Sequence, residues 1–502
     1  MNQENVRNIV IVGGGTAGWM AAASLAKILS KHWNIKLVES AEIGTVGVGE
    51  ATIPYINAFH QELEIDENEF MRATNATFKL GIEFVDWGQK GESYMHGFGT
   101  FGPDVGVTKF SQYWLRQYQL GRASGLENYS INLLAARENK FVRARQDMPQ
   151  SPLSKIVHAF HFDATLYAKF LRKFAEKLGV IRIEGKVITA TQRSEDGFID
   201  ELVLESGERI KGDLFIDCSG FRGLLIEEVL KTGYEDWSHW LPCDRAWAVQ
   251  CESSGQLMPY TRSTARDAGW QWRIPLQNRI GNGHVYSSQF SSDHAAANIL
   301  INNLDGKALT DPRLLKFVTG KRKKIWNKNV VSLGLASGFM EPLESTSIHL
   351  IQSTIGRLTT LFPDQGFDAA DIDEFNRQAD LEFEKIRDFL IMHYKVTRRN
   401  DTEFWNYVRT MDVPDSLRKK LDLFESKGRI FRDSNEMFTD VSWFSVMFGQ
   451  GLIPRGYHPL LDSVGDEKIA NFLSQVEQIT RKCVDAMPSH ADYVAGTCAS
   501  NP

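Results

Sequence analysis

Apolar positions along the chain first group into short unbroken runs closed by glycine. Asn8-Ile-Val-Ile-Val12 is one such run and predicts a strand buried on both faces. A glycine turn and a helical pattern over residues 16–30 follow, and Ile35-Lys-Leu-Val-Glu39 predicts a second strand. The first fifty residues therefore predict a βαβ unit. A glycine-rich segment occupies 44–54, and helical spacing then runs to about residue 76. Phe78-Lys-Leu-Gly-Ile-Glu-Phe84 alternates, which predicts one half-buried strand. Phe78, Leu80, Ile82 and Phe84 would face the core, with Lys79, Gly81 and Glu83 on the other side. Residues 85–150 have weak periodicity and predict an irregular, loop-rich insertion.

Beyond it the pattern predicts a helix over 163–178 and strands near 180–184, 187–193, 199–204 and 208–210. Asp213-Leu-Phe-Ile-Asp-Cys-Ser-Gly220 is a buried run ending in a turn. Residues 246–290 look strand-like, and the Asn-Gly pair in Ile280-Gly-Asn-Gly283 suggests a hairpin tip there. From Glu341 the spacing becomes helical. Ile372, Phe375, Ala379, Phe383, Ile386 and Leu390 recur on one face. Residues 489–502 look like a loose tail.

Charge narrows the function classes. The net charge of −6 argues against a nucleic-acid binder. No signal-peptide pattern opens the chain, and no stretch approaches the roughly 18 consecutive apolar residues of a membrane span. Cys218, Cys243, Cys251, Cys483 and Cys498 are scattered with no CxxC pair. That usage predicts reduced thiols in the cytoplasm and no metal site.

Gly13-Gly-Gly15-Thr16-Ala17-Gly18 lies between the first strand and the first helix. Its first glycine makes the turn, its second admits a pyrophosphate, and its third lets helix pack on strand. Helix N–H groups then face the phosphates. Glu39 follows Gly18 by 21 positions, where an acid holds ribose hydroxyls. A tight turn without a ligand is the plainer reading of the glycines alone; strand, helix, second strand and acid together favour a dinucleotide. The 213–220 stretch resembles the late flavin-side strand of FAD monooxygenases and reductases. No second glycine fingerprint is present for a nicotinamide, so electrons must come from outside. The fold class is α/β: an FAD-binding Rossmann-like core of the glutathione-reductase or aromatic-hydroxylase type, with a mostly helical C-terminal layer. Residues 1–360 are assigned to the core, with the insertion at about 85–155, and 361–502 to a substrate-binding layer.

Three more stretches carry a resemblance: Gly269-Trp270-Gln-Trp272-Arg-Ile274-Pro275, Asn75-Ala-Thr-Phe-Lys79-Leu-Gly81 and Glu341-Pro-Leu-Glu344-Ser-Thr346-Ser347. With Gly47-Val-Gly49-Glu50-Ala51-Thr52, the chain resembles the flavin-dependent tryptophan halogenases from about residue 8 to 360, and loosely to Pro454. The resemblance implies FAD in its reduced form, oxygen, and bromide or chloride converted to hypohalous acid. It also implies a separate NAD(P)H-dependent flavin reductase and a small aromatic substrate, and it admits a homodimer.

The same resemblance implies roles for individual residues. Gly49, Glu50 and Ala51 join the glycines in holding the cofactor. Trp270, Trp272, Ile274 and Pro275 separate flavin from substrate. Lys79 receives the hypohalous acid, forming a haloamine or hydrogen-bonding it. Glu344 orients the electrophile and takes the ring proton, while Thr346 and Ser347 hold halide. The family's Ser-Thr-Gly is Ser-Thr-Ser here, which suggests bromide is accepted at least as well as chloride. His96 and Phe98 are expected to form one substrate wall, with Trp443 and Phe444 opposite. Each residue also has a plainer reading: two core tryptophans, a solvated lysine, an acid at a helix start, and loop aromatics packed on the core. The stretch 438–444 lacks the set that grips an amino-acid end, so indole or another electron-rich arene is favoured over tryptophan. An FAD aromatic monooxygenase is the alternative, and a non-catalytic flavoprotein a third reading.

Overall fold

A computed structural model of the protein describes residues 5–29, 32–41, 49–253, 255–433 and 436–500. The stretch 42–48, part of the glycine-rich segment expected at the cofactor, lies outside the described residues.

The first strand, Asn8–Val12, is the centre of a six-stranded sheet. Its neighbours are Asn34–Glu39 and Leu214–Asp217, both parallel to it, with Ile181–Glu184 and Val330–Ser332 outside them. Strands buried on both faces need no alternation, which is why Ile9, Val10 and Ile11 are all fully buried. The helix Thr16–Ile28 packs on this sheet and against the helix Ala164–Lys177, whose N-terminus is capped by Asp163.

A seven-stranded sheet forms the second layer. Its order is Arg313–Lys316, Arg245–Cys251, Ile280–Tyr286, Gly269–Pro275, Thr261–Arg266, Gly81–Val85, Ser93–Gly97. Gly49–Ala51, Ala159–Asp163 and Thr77–Lys79 make a small third sheet. Helices dominate from Ser347 onward, led by the 27-residue Ala369–Lys395. Of its expected core face, Phe375, Ala379, Phe383, Ile386 and Leu390 are buried.

Four expectations need correction. The run 78–84 is two strands in two sheets. Leu80 leaves the first, donating its N–H to Pro259 O at 2.7 Å. Gly81 enters the second so close to its neighbour that a Cβ would lie 2.5 Å from His96 O. Asn282-Gly283 is not a turn: both residues lie inside the strand Ile280–Tyr286, and the reversal falls at 276–279. Gly283 stands there because the Trp272 ring lies across it; a Cβ would come within 2.0 Å of that ring. The 85–150 insertion holds two helices, Phe110–Gln119 and Ile131–Arg137. Their buried residues run nearly all the way round, so no polar face was left to mark a period. The tail is not loose as far as residue 500. His490–Thr497 is a helix, and His490 is fully buried.

Candidate active site

The site is assembled by a short loop between the Gly338–Phe339 strand and the Ser347–Thr360 helix. Pro342 opens a 3₁₀ turn over Pro342–Glu344, and Ser345 then adopts φ 59°, a left-handed conformation uncommon for a side chain other than glycine. The reversal turns Glu344 inward and brings Ser345 to Lys79. Lys79 Nζ donates to Ser345 Oγ at 2.8 Å and lies 5.5 Å from the centre of the Phe98 ring. Lys79 is fully buried, so the solvated reading of that residue is wrong. Its strand is pinned from behind: Phe78 N–H donates to His490 Nε2 at 3.2 Å, and His490 Nδ1–H donates to Leu257 O.

Glu344 lies between two histidines. His96 Nδ1 is 3.0 Å from each carboxylate oxygen, and His393 Nε2 is 2.8 Å from Oε1. The other ring nitrogen of His393 donates to Phe389 O. Burial alone would raise the Glu344 carboxyl. The charges and hydrogen bonds of His96 and His393 outweigh burial and hold it down at about 2. Burial pushes the Lys79 ammonium down to about 7, against the opposing pull of the Glu344 charge. The array thus keeps an ionised carboxylate beside a lysine poised near neutrality.

An aromatic cluster adjoins the acid. Phe389 stacks on Phe438 with ring centres 3.6 Å apart, Trp443 meets Phe389 edge-on at 4.8 Å, and His96 is 5.8 Å from Phe389. Phe444 is not brought here. It lies on another face of the helix Asp440–Gly449, packed against Phe101, Trp114, Phe424 and Phe448. His96 is the partner of Glu344 rather than simply a substrate wall. Phe389 and His393 were missed because they sit in a long helix whose apolar face reads as core. Their signal was a histidine inside a stretch, 386–394, that is apolar on more than one face.

The dinucleotide cradle stands on the six-stranded sheet. Gly13 has φ 112°, and a Cβ there would come within 2.3 Å of Cys218 O. A Cβ on Gly18 would lie 1.9 Å from Gly13 O. The helix Thr16–Ile28 has no side-chain cap, and a Cβ on Gly15 would meet nothing within 4 Å. Uncapped N–H groups facing open space fit a pyrophosphate. Gly14 backs onto Glu39, whose Oε1 is bonded by Arg182 and whose Oε2 is 3.4 Å from Trp19 Nε1. Arg182 was another partner that spacing did not show. Desolvation pushes the Glu50 carboxyl up to about 7.

Between the two regions lies the strand Gly269–Pro275, buried at every position. Trp270 and Trp272 have ring centres 6.0 Å apart, Ile274 lies against Gly49, and Pro275 O accepts from Thr77 Oγ at 2.7 Å. Thr346 and Ser347 open the 14-residue helix Ser347–Thr360, which has no side-chain cap.

A parallel dinucleotide-type sheet, with a buried lysine and a buried glutamate mounted on other elements, fits a flavoprotein enzyme. The profile of the tryptophan halogenase family matches residues 8–466, and the chain belongs to that family. It is 34% identical to tryptophan 6-halogenase ThaL of Streptomyces albogriseolus, covering 97% of this chain and 98% of that one. Among solved structures it superposes on Xcc4156, a flavin-dependent halogenase from Xanthomonas campestris, with TM-score 0.96, 49% identity and 99% of each chain covered. It superposes on BrvH, a flavin-dependent halogenase from Brevundimonas sp. BAL3, with TM-score 0.94, 45% identity, and 98% and 99% coverage. The protein is accordingly a flavin-dependent halogenase, and the monooxygenase alternative falls away.

Proposed function

We propose that this enzyme halogenates indole or another electron-rich arene, using Lys79 and Glu344 to direct hypohalous acid onto the ring. The supporting observation is the buried Lys79–Ser345 contact next to a Glu344 carboxylate held ionised by two histidines. FAD, bound in its reduced form, supplies the oxygen chemistry that turns bromide or chloride into hypohalous acid. Gly13, Gly15, Thr16, Ala17 and Gly18 would hold its phosphates, Glu39 its ribose through Oε2, and Gly49, Glu50 and Ala51 its flavin side. Thr346 and Ser347 would hold the halide. Residues 1–360 serve as the cofactor core and 361–502 as the substrate layer.

The side chains divide the work. Trp270, Trp272, Ile274 and Pro275 keep arene and cofactor apart. Phe98, Phe389, Phe438 and Trp443 offer flat faces for an aromatic ring, and with His96 they fix which carbon faces Lys79. Lys79 holds the hypohalous oxygen while the halogen–oxygen bond breaks and the carbon–halogen bond forms. The ring proton passes to Glu344 and the electron pair returns to the ring; the departing hydroxide takes a proton from the Lys79 ammonium and leaves as water, and Glu344 then returns the ring proton to Lys79. Electrons are delivered by a separate NAD(P)H-dependent flavin reductase.

The test is mass spectrometry of indole and of tryptophan incubated with the enzyme, FAD, NADH, a flavin reductase, and equal chloride and bromide. A monohalogenated product that disappears in Lys79→Ala, with flavin oxidation unchanged, supports the assignment. Halogenation at a normal rate by Lys79→Ala overturns the role of Lys79. Consumption of reduced flavin without a product from either arene removes indole and tryptophan as substrates and leaves another electron-rich arene.

A further inference from the structure

Three residues before Glu344, the same loop carries a second buried acid that the reaction above does not use. Glu341 is fully buried. Its Oε2 accepts the indole N–H of Trp270 at 2.8 Å and the hydroxyl of Tyr394. Tyr394 in turn lies 3.8 Å from Cys243 Sγ. Oε1 is buried with no hydrogen-bond partner. No lysine, arginine or histidine is paired with this carboxyl among the described residues, in contrast to Glu344.

We propose that Glu341 is a positioning residue that locks the Trp270 side of the partition to the loop and helix carrying the halogenation machinery. The inference rests on the partition role proposed above. The connectivity supports it. Trp270 is on the seven-stranded sheet, Glu341 opens the loop of Glu344 and Ser345, and Tyr394 follows His393, which faces Glu344. One carboxyl oxygen therefore joins wall, loop and helix. Trp87, 5.3 Å from Tyr394 and 6.5 Å from Trp270, packs across the junction.

The chemistry of the knot specifies the form of the acid. Neutral donors alone, with no cation, cannot compensate a buried charge. Burial pushes the Glu341 carboxyl up to about 7, against the hydrogen bonds of Tyr394, Trp270 and Cys243. The neutral acid accepts from Trp270 and Tyr394 through its carbonyl oxygen and carries its proton on the other. A glutamine side chain can reproduce that pattern; an alanine cannot.

Coupling is the quantity that separates locking from general support: halogenated arene formed per reduced flavin consumed, with released hydrogen peroxide and hypohalous acid trapped outside the protein. Glu341→Ala should oxidise reduced flavin at the wild-type rate and lose coupling by about tenfold, the population shift expected when the buried hydrogen bond to Trp270 is lost. Glu341→Gln should retain coupling within about twofold, because both donors keep an acceptor. Infrared difference spectra of wild type against Glu341→Gln, both without flavin and recorded below about pH 7, should show the carbonyl stretch of a protonated carboxylic acid only in the wild type. Full coupling in folded Glu341→Ala overturns the inference. So does a carboxylate band in place of the acid, or a Glu341→Gln enzyme as uncoupled as Glu341→Ala. A wild type that forms no halogenated product would instead count against the function proposed above, and the infrared arm still decides the state of Glu341.

Discussion

Burying Lys79 costs stability, and replacing it with methionine should return part of that cost. Its ammonium falls from 10.5 to about 7 through burial. At about 1.4 kcal/mol per tenfold change in proton affinity, that depression corresponds to about 5 kcal/mol. Methionine nearly conserves volume, so no cavity term is added. Lost with the lysine is its hydrogen bond to Ser345, worth roughly 1.5–3 kcal/mol for a charged donor; the attraction to Glu344 is already contained in the value of about 7. Glu344 keeps His96 and His393, so the variant leaves no unpaired charge. Lys79→Met should therefore be more stable than wild type by about 2 kcal/mol while forming no halogenated arene. The sign of the pH dependence follows. The folded-state value lies below the unfolded one, so between about pH 7 and 10.5 the unfolded chain binds more protons. Wild-type stability from this group rises with pH across that window. The advantage of Lys79→Met is thus largest below about pH 7 and shrinks toward 10.5. Denaturant unfolding of both apoproteins, followed by tryptophan fluorescence across that range, measures it. A variant less stable than wild type, or an advantage that does not shrink as pH rises, refutes the argument.

Glu344→Gln should oxidise flavin normally and halogenate about 10²-fold more slowly, the scale of a lost general base; an unchanged rate under single turnover would remove Glu344 from the proton step. Trp443→Ala should raise KM for indole several-fold through loss of an aromatic face, whereas Phe444→Ala should lower stability by about 3 kcal/mol with little change in KM. Thermal unfolding together with indole kinetics checks the pair, and the opposite pattern would restore Phe444 to the site. In equal chloride and bromide, brominated arene should at least match chlorinated arene by mass spectrometry; only chlorinated product would show that the serine at 347 does not favour the larger ion. His490→Ala should leave Phe78 N–H unpaired, costing about 1–3 kcal/mol, and lower the halogenation rate by loosening Lys79; a rate equal to wild type would mean the strand holds its position without it.

The parts legible in the sequence were those that depend on local spacing. A glycine fingerprint between a strand and a helix, with Glu39 at the end of the next strand, is a local object, and its βαβ unit stands as read. The parts that were not legible depend on contacts far apart in the chain. Alternation around Lys79 pointed the side chain to solvent because the pattern cannot show the 341–347 loop and Phe98 closing over it. Asn282-Gly283 carried a turn signal locally, but Trp272 across the strand pair needed a flat, side-chain-free neighbour. His393 and Phe389 were read as core because packing against the site and packing against the core produce the same apolar helix face. Only the family resemblance, carried by whole motifs, picked out Lys79 and Glu344 ahead of the geometry.

The two acids of the 341–347 loop show how one short segment separates two tasks. Both are buried and both engage the same end of the Ala369–Lys395 helix, Glu341 through Tyr394 and Glu344 through His393. Their partners differ, and the partners set the charge. Glu344 meets two imidazoles and stays ionised at about 2; Glu341 meets an indole, a phenol and a thiol, and burial lifts it to about 7. An ionised carboxylate near Lys79 can accept a proton from a cationic ring. Below about pH 7 the acid beside Trp270 is neutral and can hold Trp270 without placing a second negative charge near the lysine. On the proposed mechanism, exchanging the two environments would defeat both tasks: Glu344 would be protonated before a ring proton reached it, and a charged Glu341 would repel a halide held at Thr346 and Ser347. The left-handed turn at Ser345 is the structural counterpart, since it brings the Ser345 hydroxyl to Lys79 and Glu344 to His96 and His393 from adjacent positions, while Glu341 turns to Trp270.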